Sequence, residues 1–155
     1  MNTQKQIAFK KQLQKAGISI IEERIAATLQ LMNNAQEAAN SESKSSAGDK
    51  YETSRAMNHL QKDMYASQLA ANKRELAALM NINCGSIATV IGKGCYVQTK
   101  KTGFFIAAGL GKITVNDIVV YLLSPNAPLS QLLFTKSISD SFLFNKEQLM
   151  IDLFY

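Results

Sequence analysis

Between Gly17 and Gly85 the chain has one glycine, Gly48, and no proline; its two prolines, Pro125 and Pro128, lie far downstream. A run so poor in helix breakers constrains the first half more than any other feature. From Ile18 to Asn81 the composition is Ala, Gln, Leu, Met, Glu, Lys and Arg, good helix formers with few β-branched residues. The exception is Ser41-Glu42-Ser43-Lys44-Ser45-Ser46-Ala47-Gly48, whose four serines and a glycine predict a turn. Before it Ile21, Ile25, Thr28, Met32, Ala35 and Ala39 recur at helical steps of three and four, and after it Met57, Leu60, Met64, Ser67 and Ala71 do the same. Two stripes joined by a short loop predict an antiparallel coiled-coil hairpin over residues 1–82 with its tip at about 41–50. Arms of about 30 residues would be on the order of 45 Å long, so each packs mainly against the other. A four-helix bundle is the alternative, but the second half offers no further long helices.

After Cys84-Gly85 the pattern changes to short β-branched and aromatic runs punctuated by glycines and polar turns. Residues 86–91, 95–100, 103–108, 113–115, 117–123, 142–144 and 149–154 read as strand material. Gly92-Lys93-Gly94 and Asn116-Asp117 supply turns, and Pro128 to Leu133 reads as a short helix with proline in its first turn. The expected fold is therefore α+β: a helical hairpin, then a small antiparallel β domain with one short helix over residues 83–155.

At 155 residues the chain holds one compact domain or two small ones, which excludes large multi-step enzymes. A carbon–carbon condensing enzyme, for instance, needs several histidines around its cysteine, and there is one histidine. The formal charge of +5 favours acidic or polyanionic partners. Cys84 and Cys95 lack metal-ligand spacing and cannot form a disulfide framework, so both read as buried thiols. The N-terminal residues show no apolar signal core, and no run approaches the ~20 apolar residues needed to span a bilayer. The expected setting is a reducing cytoplasm, with no membrane partner.

The hairpin turn reads Gly48-Asp49-Lys50-Tyr51-Glu52, and downstream come Ser124-Pro125-Asn126-Ala127-Pro128-Leu129 and then Lys136, Ile138 and Asp140. In this order and placement the chain resembles the Gre-type transcript-cleavage and elongation factors of bacterial RNA polymerase, whose tip carries G-D-x-x-E and whose second half carries S-P-x-A-x-A-L then G-K-x-V-G-D. Thr53 replaces the Asn that usually follows the tip motif, and Thr135 and Ser139 stand where the second motif has glycines. The resemblance covers nearly the whole chain. It implies a coiled coil followed by an FKBP-like domain without prolyl isomerase activity. That domain would dock at the rim of the polymerase secondary channel as a monomer, and the coiled coil would thread the channel toward the active centre.

Asp49 and Glu52 are three residues apart, so at a helix start both carboxylates share one side of the first turn. Two hard oxygen donors suit Mg²⁺. The resemblance implies that the pair steadies a Mg²⁺ and an attacking water shared with the polymerase, which would itself hydrolyse the RNA. The same two residues also fit a capping box, Asp at the N-cap and Glu three positions on, and Glu42 is open to either role. Lys44, Lys50 and Arg55 would hold phosphates of a nascent RNA 3′ end, or form a solvated face, and Tyr51 would stack on a base or pack against the opposite arm. Ser124, Pro125, Ser130, Gln131 and Lys136 form the expected docking segment. His59 has no ligand-spaced neighbour and reads as an arm residue. Gly109-Leu110-Gly111-Lys112 lacks the spacing of a phosphate loop, and Phe104, Phe105, Phe142 and Phe144 read as core. Three competitors stand beside this reading: a channel regulator without cleavage activity, a partner-binding coiled-coil adaptor, and a small-molecule enzyme using the second half. The last finds no acid, base and nucleophile set there.

Overall fold

The computed structural model describes residues 2–42 and 48–155, with side chains for 2–41 and 51–155. A long helical hairpin, α1 (Thr3–Glu42) and α2 (Gly48–Met80), precedes a small mixed β domain. The first helix begins well before Ile18 and runs through Gly17. A glycine there is dictated by close approach: a Cβ would lie 2.7 Å from Leu79 Cδ2 and 3.3 Å from Leu110 Cδ1. Both flanks of the expected tip, Ser41-Glu42 and Gly48-Asp49-Lys50, are helical, and residues 43–47 lie outside the described residues.

The compact units do not part at residues 82 and 83. One unit is Met1–Ile20 with Ala77–Tyr155, and the other is Ile21–Leu76. The first is built on a five-stranded sheet of order β3 (Gly111–Val115), β4 (Ile118–Leu123), β2 (Gly103–Ile106), β1 (Tyr96–Gln98) and β7 (Leu153–Phe154). Its pairing is not wholly antiparallel as expected, because β2 runs parallel to β4, Phe104 opposite Tyr121. The reason is connectivity: β3 and β4 form their own hairpin through Asn116-Asp117, both at positive φ, which returns β4 to β2 in the parallel sense. One face carries Val97, Phe104 and Ile106 against Leu133 of α3 (Pro128–Leu133) and against Phe142 and Leu149 of the hairpin β5 (Ser141–Phe144) and β6 (Glu147–Met150). Phe104 meets Phe144 edge-on at 5.1 Å. Phe104, Phe105 and Phe142 are buried, as the sequence predicts, and Phe144 packs against the cluster that holds Phe104 and Phe142.

The opposite face carries Tyr96, Phe105 and Leu122, and the start of α1 covers it. Phe9 meets Tyr96 edge-on at 5.0 Å, and Leu122 Cδ1 lies 3.6 Å from where a Gly17 Cβ would be. Gln14 Nε2 donates to the carbonyls of Leu79 and Ile82 at 2.8 and 3.0 Å, tying α1 to the end of α2. The base of the hairpin is thus one layer of the β domain, and this is why the units divide inside the helices. Residues 86–91 form no strand. Of this run only Ile91 is buried, and Ala88 packs partly against the core. The run 149–154 is split between two sheets by Ile151 and Asp152, whose amides donate to Asp140 and Gln98.

In the second unit α1 and α2 run antiparallel: Arg24 and Thr28 share a groove with Gln68 and Asn72, and Met32 to Asn40 share another with Tyr51 to Tyr65. On α1 the expected stripe faces inward, with Ile21 and Thr28 buried; the Thr28 hydroxyl donates to the Arg24 carbonyl at 2.9 Å, so its burial leaves no orphan. On α2 the expected stripe is the wrong face. Met57, Leu60, Met64, Ser67 and Ala71 are all exposed, and the inward residues are Ser54, Asn58, Tyr65, Leu69, Asn72 and Leu76. Leu69 and Leu76, one heptad apart, set the seam, and Leu60 precedes Leu69 by nine residues, about two and a half turns, which places it on the far side.

Candidate functional site

The distal end of the Ile21–Leu76 unit is where α1 closes and α2 opens. Because α2 begins at Gly48, Asp49 lies inside its first turn and Glu52 one turn further on. Carboxylates in a first turn face the positive end of the helix dipole. Glu52 is exposed. The side chains of Asp49, Lys50 and Glu42 and all of Lys44 lie outside the described residues.

Just below this end, a groove of about 580 Å³ opens along the seam. Its walls are Ala35 and Ala39 of α1 opposite Ser54 and Asn58 of α2, side chains too small to close the gap that a leucine seam would fill. Tyr51 and Arg55 line it, so two of the residues assigned to nucleic acid by sequence come together; Glu52 does not. His59, Lys62 and Tyr65 complete the α2 wall. Sequence reasoning set His59 aside and missed Lys62 and Tyr65. Their signal was present: Tyr51, Arg55, Asn58, Lys62 and Tyr65 recur at steps of four and three, a heptad face written in polar residues.

A metal would find few donors. Among the described residues no group of three or more His, Cys, Asp or Glu could hold one. The exposed Glu52 offers one carboxylate, a hard oxygen donor of the kind Mg²⁺ prefers.

The docking segment is mostly braced inward. Ser130 is fully buried at 0% exposure, and its hydroxyl donates to the Ser124 carbonyl at 2.7 Å, so it cannot touch a partner. Gln131 Nε2 donates to the Pro125 carbonyl at 2.8 Å, and the Ser124 hydroxyl accepts from the Asn126 amide at 3.3 Å. Lys136 is half-buried. The exposed residues from Ser124 to Lys136 are Asn126, Pro128, Gln131, Leu132 and Thr135. Ser139, which replaces a motif glycine, has φ 73°, a conformation that glycine adopts freely and serine does not.

A second polar cluster sits under the sheet. Lys10 is 2% exposed and its ammonium donates to the Ser86 carbonyl at 2.9 Å; burial lowers its pKa, against the opposing pull of Cys84 and Cys95. Burial pushes both thiols up, so they are inert buried cysteines, as the sequence predicts. No helix among the described residues is long and apolar enough to cross a membrane.

Neither a family model nor a curated protein matches the chain. A solved structure described as that of the transcription factor Gfh1 superposes with a TM-score of 0.39 at 14% identity, covering 91% of this chain and 94% of that one. A likeness at that level decides neither family nor function.

Proposed function

We propose that the chain is an RNA polymerase accessory factor of the Gre type, which carries an acidic pair on a two-helix arm into the secondary channel and stimulates hydrolysis of backtracked transcripts. The observation that supports this reading is the placement of Asp49 and Glu52 in the first two turns of α2, at the far end of the Ile21–Leu76 unit. Asp49 stands 27 residues ahead of Leu76 in one continuous helix, about 40 Å along its axis, which is the reach a deep channel demands. The pair's role is to position a water and share a Mg²⁺, and the bound ion would supply charge stabilisation of the transferring phosphate. The polymerase contributes the rest, so this chain is not itself the enzyme. A regulator that occupies the channel without cleavage is favoured by one feature, Thr53 in place of the motif Asn.

The direct test of the partner is retention of core RNA polymerase by the immobilised full chain, with release by a known secondary-channel ligand. Specific retention supports both polymerase readings. Absence of retention leaves the adaptor.

A further inference from the structure

The seam groove carries chemistry that neither the acidic pair nor polymerase docking uses. Arg55, His59 and Lys62 stand at steps of four and three on one wall and span about 10 Å along the helix axis, the extent of a polyphosphate rather than a single anion. Among the described residues no carboxylate lines the groove, and neither Arg55 nor Lys62 is in an ion pair. An aromatic ring stands at each end, Tyr51 one turn before Arg55 and Tyr65 one turn after Lys62. The volume of about 580 Å³ falls among those of pockets that take a single small ligand. A polyphosphate binds cations and has no use for the tyrosines; an apolar ligand would use the tyrosines and bury the cations at a cost. One ligand class uses both.

We propose that this groove binds a free nucleoside triphosphate, its phosphates along Arg55, His59 and Lys62 and its base stacked on Tyr51 or Tyr65. Arg55 offers a planar donor fork to two phosphate oxygens, Lys62 a mobile point charge and His59 a ring N–H. The amides of Asn33 and Gln36 on the opposite wall face the same space and suit base edges. The vacancy is made by Ala35 and Ala39, so a larger residue there should close it without touching any cation. This site does not depend on the polymerase reading, because it is complete within one chain.

The test is calorimetric titration of the full chain, without polymerase, with ATP, GTP, CTP and UTP, and in parallel with tripolyphosphate, adenosine and a short oligoribonucleotide. The expected result is one triphosphate per chain, with tripolyphosphate and adenosine each weaker by at least about tenfold. Arg55→Ala and Lys62→Ala should each weaken ATP by about tenfold, and Arg74→Ala, outside the groove, should leave it unchanged. Ala35→Leu should abolish binding while preserving the helical circular dichroism. No binding of any triphosphate at millimolar concentration overturns the proposal. So does tripolyphosphate binding as tightly as ATP, an equal loss from Arg74→Ala, or an oligoribonucleotide that binds where free triphosphates do not.

Discussion

Leu13 and Leu60 are the same residue in the same kind of element, and the structure gives them opposite fates. Leu13 in α1 is 0% exposed in the layer between α1 and the sheet, and Leu60 in α2 is 64% exposed. Leu13→Ala removes two methyl groups and a methine from a closed site, a transfer loss of about 2.4 kcal/mol at ~0.8 kcal/mol per carbon, and the cavity left behind brings the cost to about 3–4 kcal/mol. Leu60→Ala loses only the buried third of its contact, under about 1 kcal/mol, and the higher helix propensity of Ala offsets a few tenths of that. Urea unfolding measures both, using near-ultraviolet dichroism of Tyr96 and Tyr155 for the unit that holds Leu13 and ellipticity at 222 nm for the hairpin. For a chain of this size the Leu13 variant should melt on the order of 10 °C lower and the Leu60 variant within about 3 °C of the parent. A Leu60→Ala cost equal to or above that of Leu13→Ala would refute the seam register and restore the face through Met57, Leu60 and Met64.

A fragment beginning at Asn83 should fail to melt cooperatively, because it strips Phe9, Leu13 and Leu79 from the second face of the sheet; calorimetry of fragment and full chain checks it. Ser139→Gly should raise stability by about 1 kcal/mol by relieving φ 73°, read as a shift of the urea midpoint at constant slope. Ser130→Ala should cost about 1–2 kcal/mol, since the buried Ser124 carbonyl keeps the Ala127 amide at 3.0 Å but loses the hydroxyl. Burial raises the phenol of Tyr155 to about 12 and that of Tyr96 further, so both fold as neutral groups while their unfolded counterparts ionise near 10. Stability is therefore fully present below pH 10 and falls as pH rises toward 12, which alkaline titration of the unfolding transition at 295 nm should record, with Tyr155→Phe less sensitive.

The helical hairpin was legible because more than sixty residues hold no proline and a single glycine, Gly48, and Pro128 to Leu133 because proline sits in a first turn. The start of α1 was not, since Gly17 reads as a boundary when its actual cause is the approach of Leu79. Nor was the α2 seam. A stripe of methionine and leucine at helical steps outweighs a polar face in any periodicity argument, and it is the half-burial of Leu69 and Leu76, in line with Asn58, Tyr65 and Asn72, that shows which face turns inward. The parallel β2–β4 pair has no local signature, because it follows from the β3–β4 hairpin returning across the sheet. In the candidate site Tyr51 and Arg55 were found from their nearness to the acidic motif, and Lys62 and Tyr65 were missed because they lie one and two heptads further down a helix read in the wrong register.

The central claim, that Asp49 and Glu52 act at a polymerase active centre, is tested most directly by transcript release from stalled, backtracked elongation complexes in Mg²⁺. The parent chain should release short 3′ RNA fragments. The double variant Asp49→Asn, Glu52→Gln keeps side-chain shape and removes two negative charges, so it should bind and compete with the parent yet release none. Release by the variant at the parent's rate would contradict the account, as would a parent that binds the complexes and leaves the transcript whole.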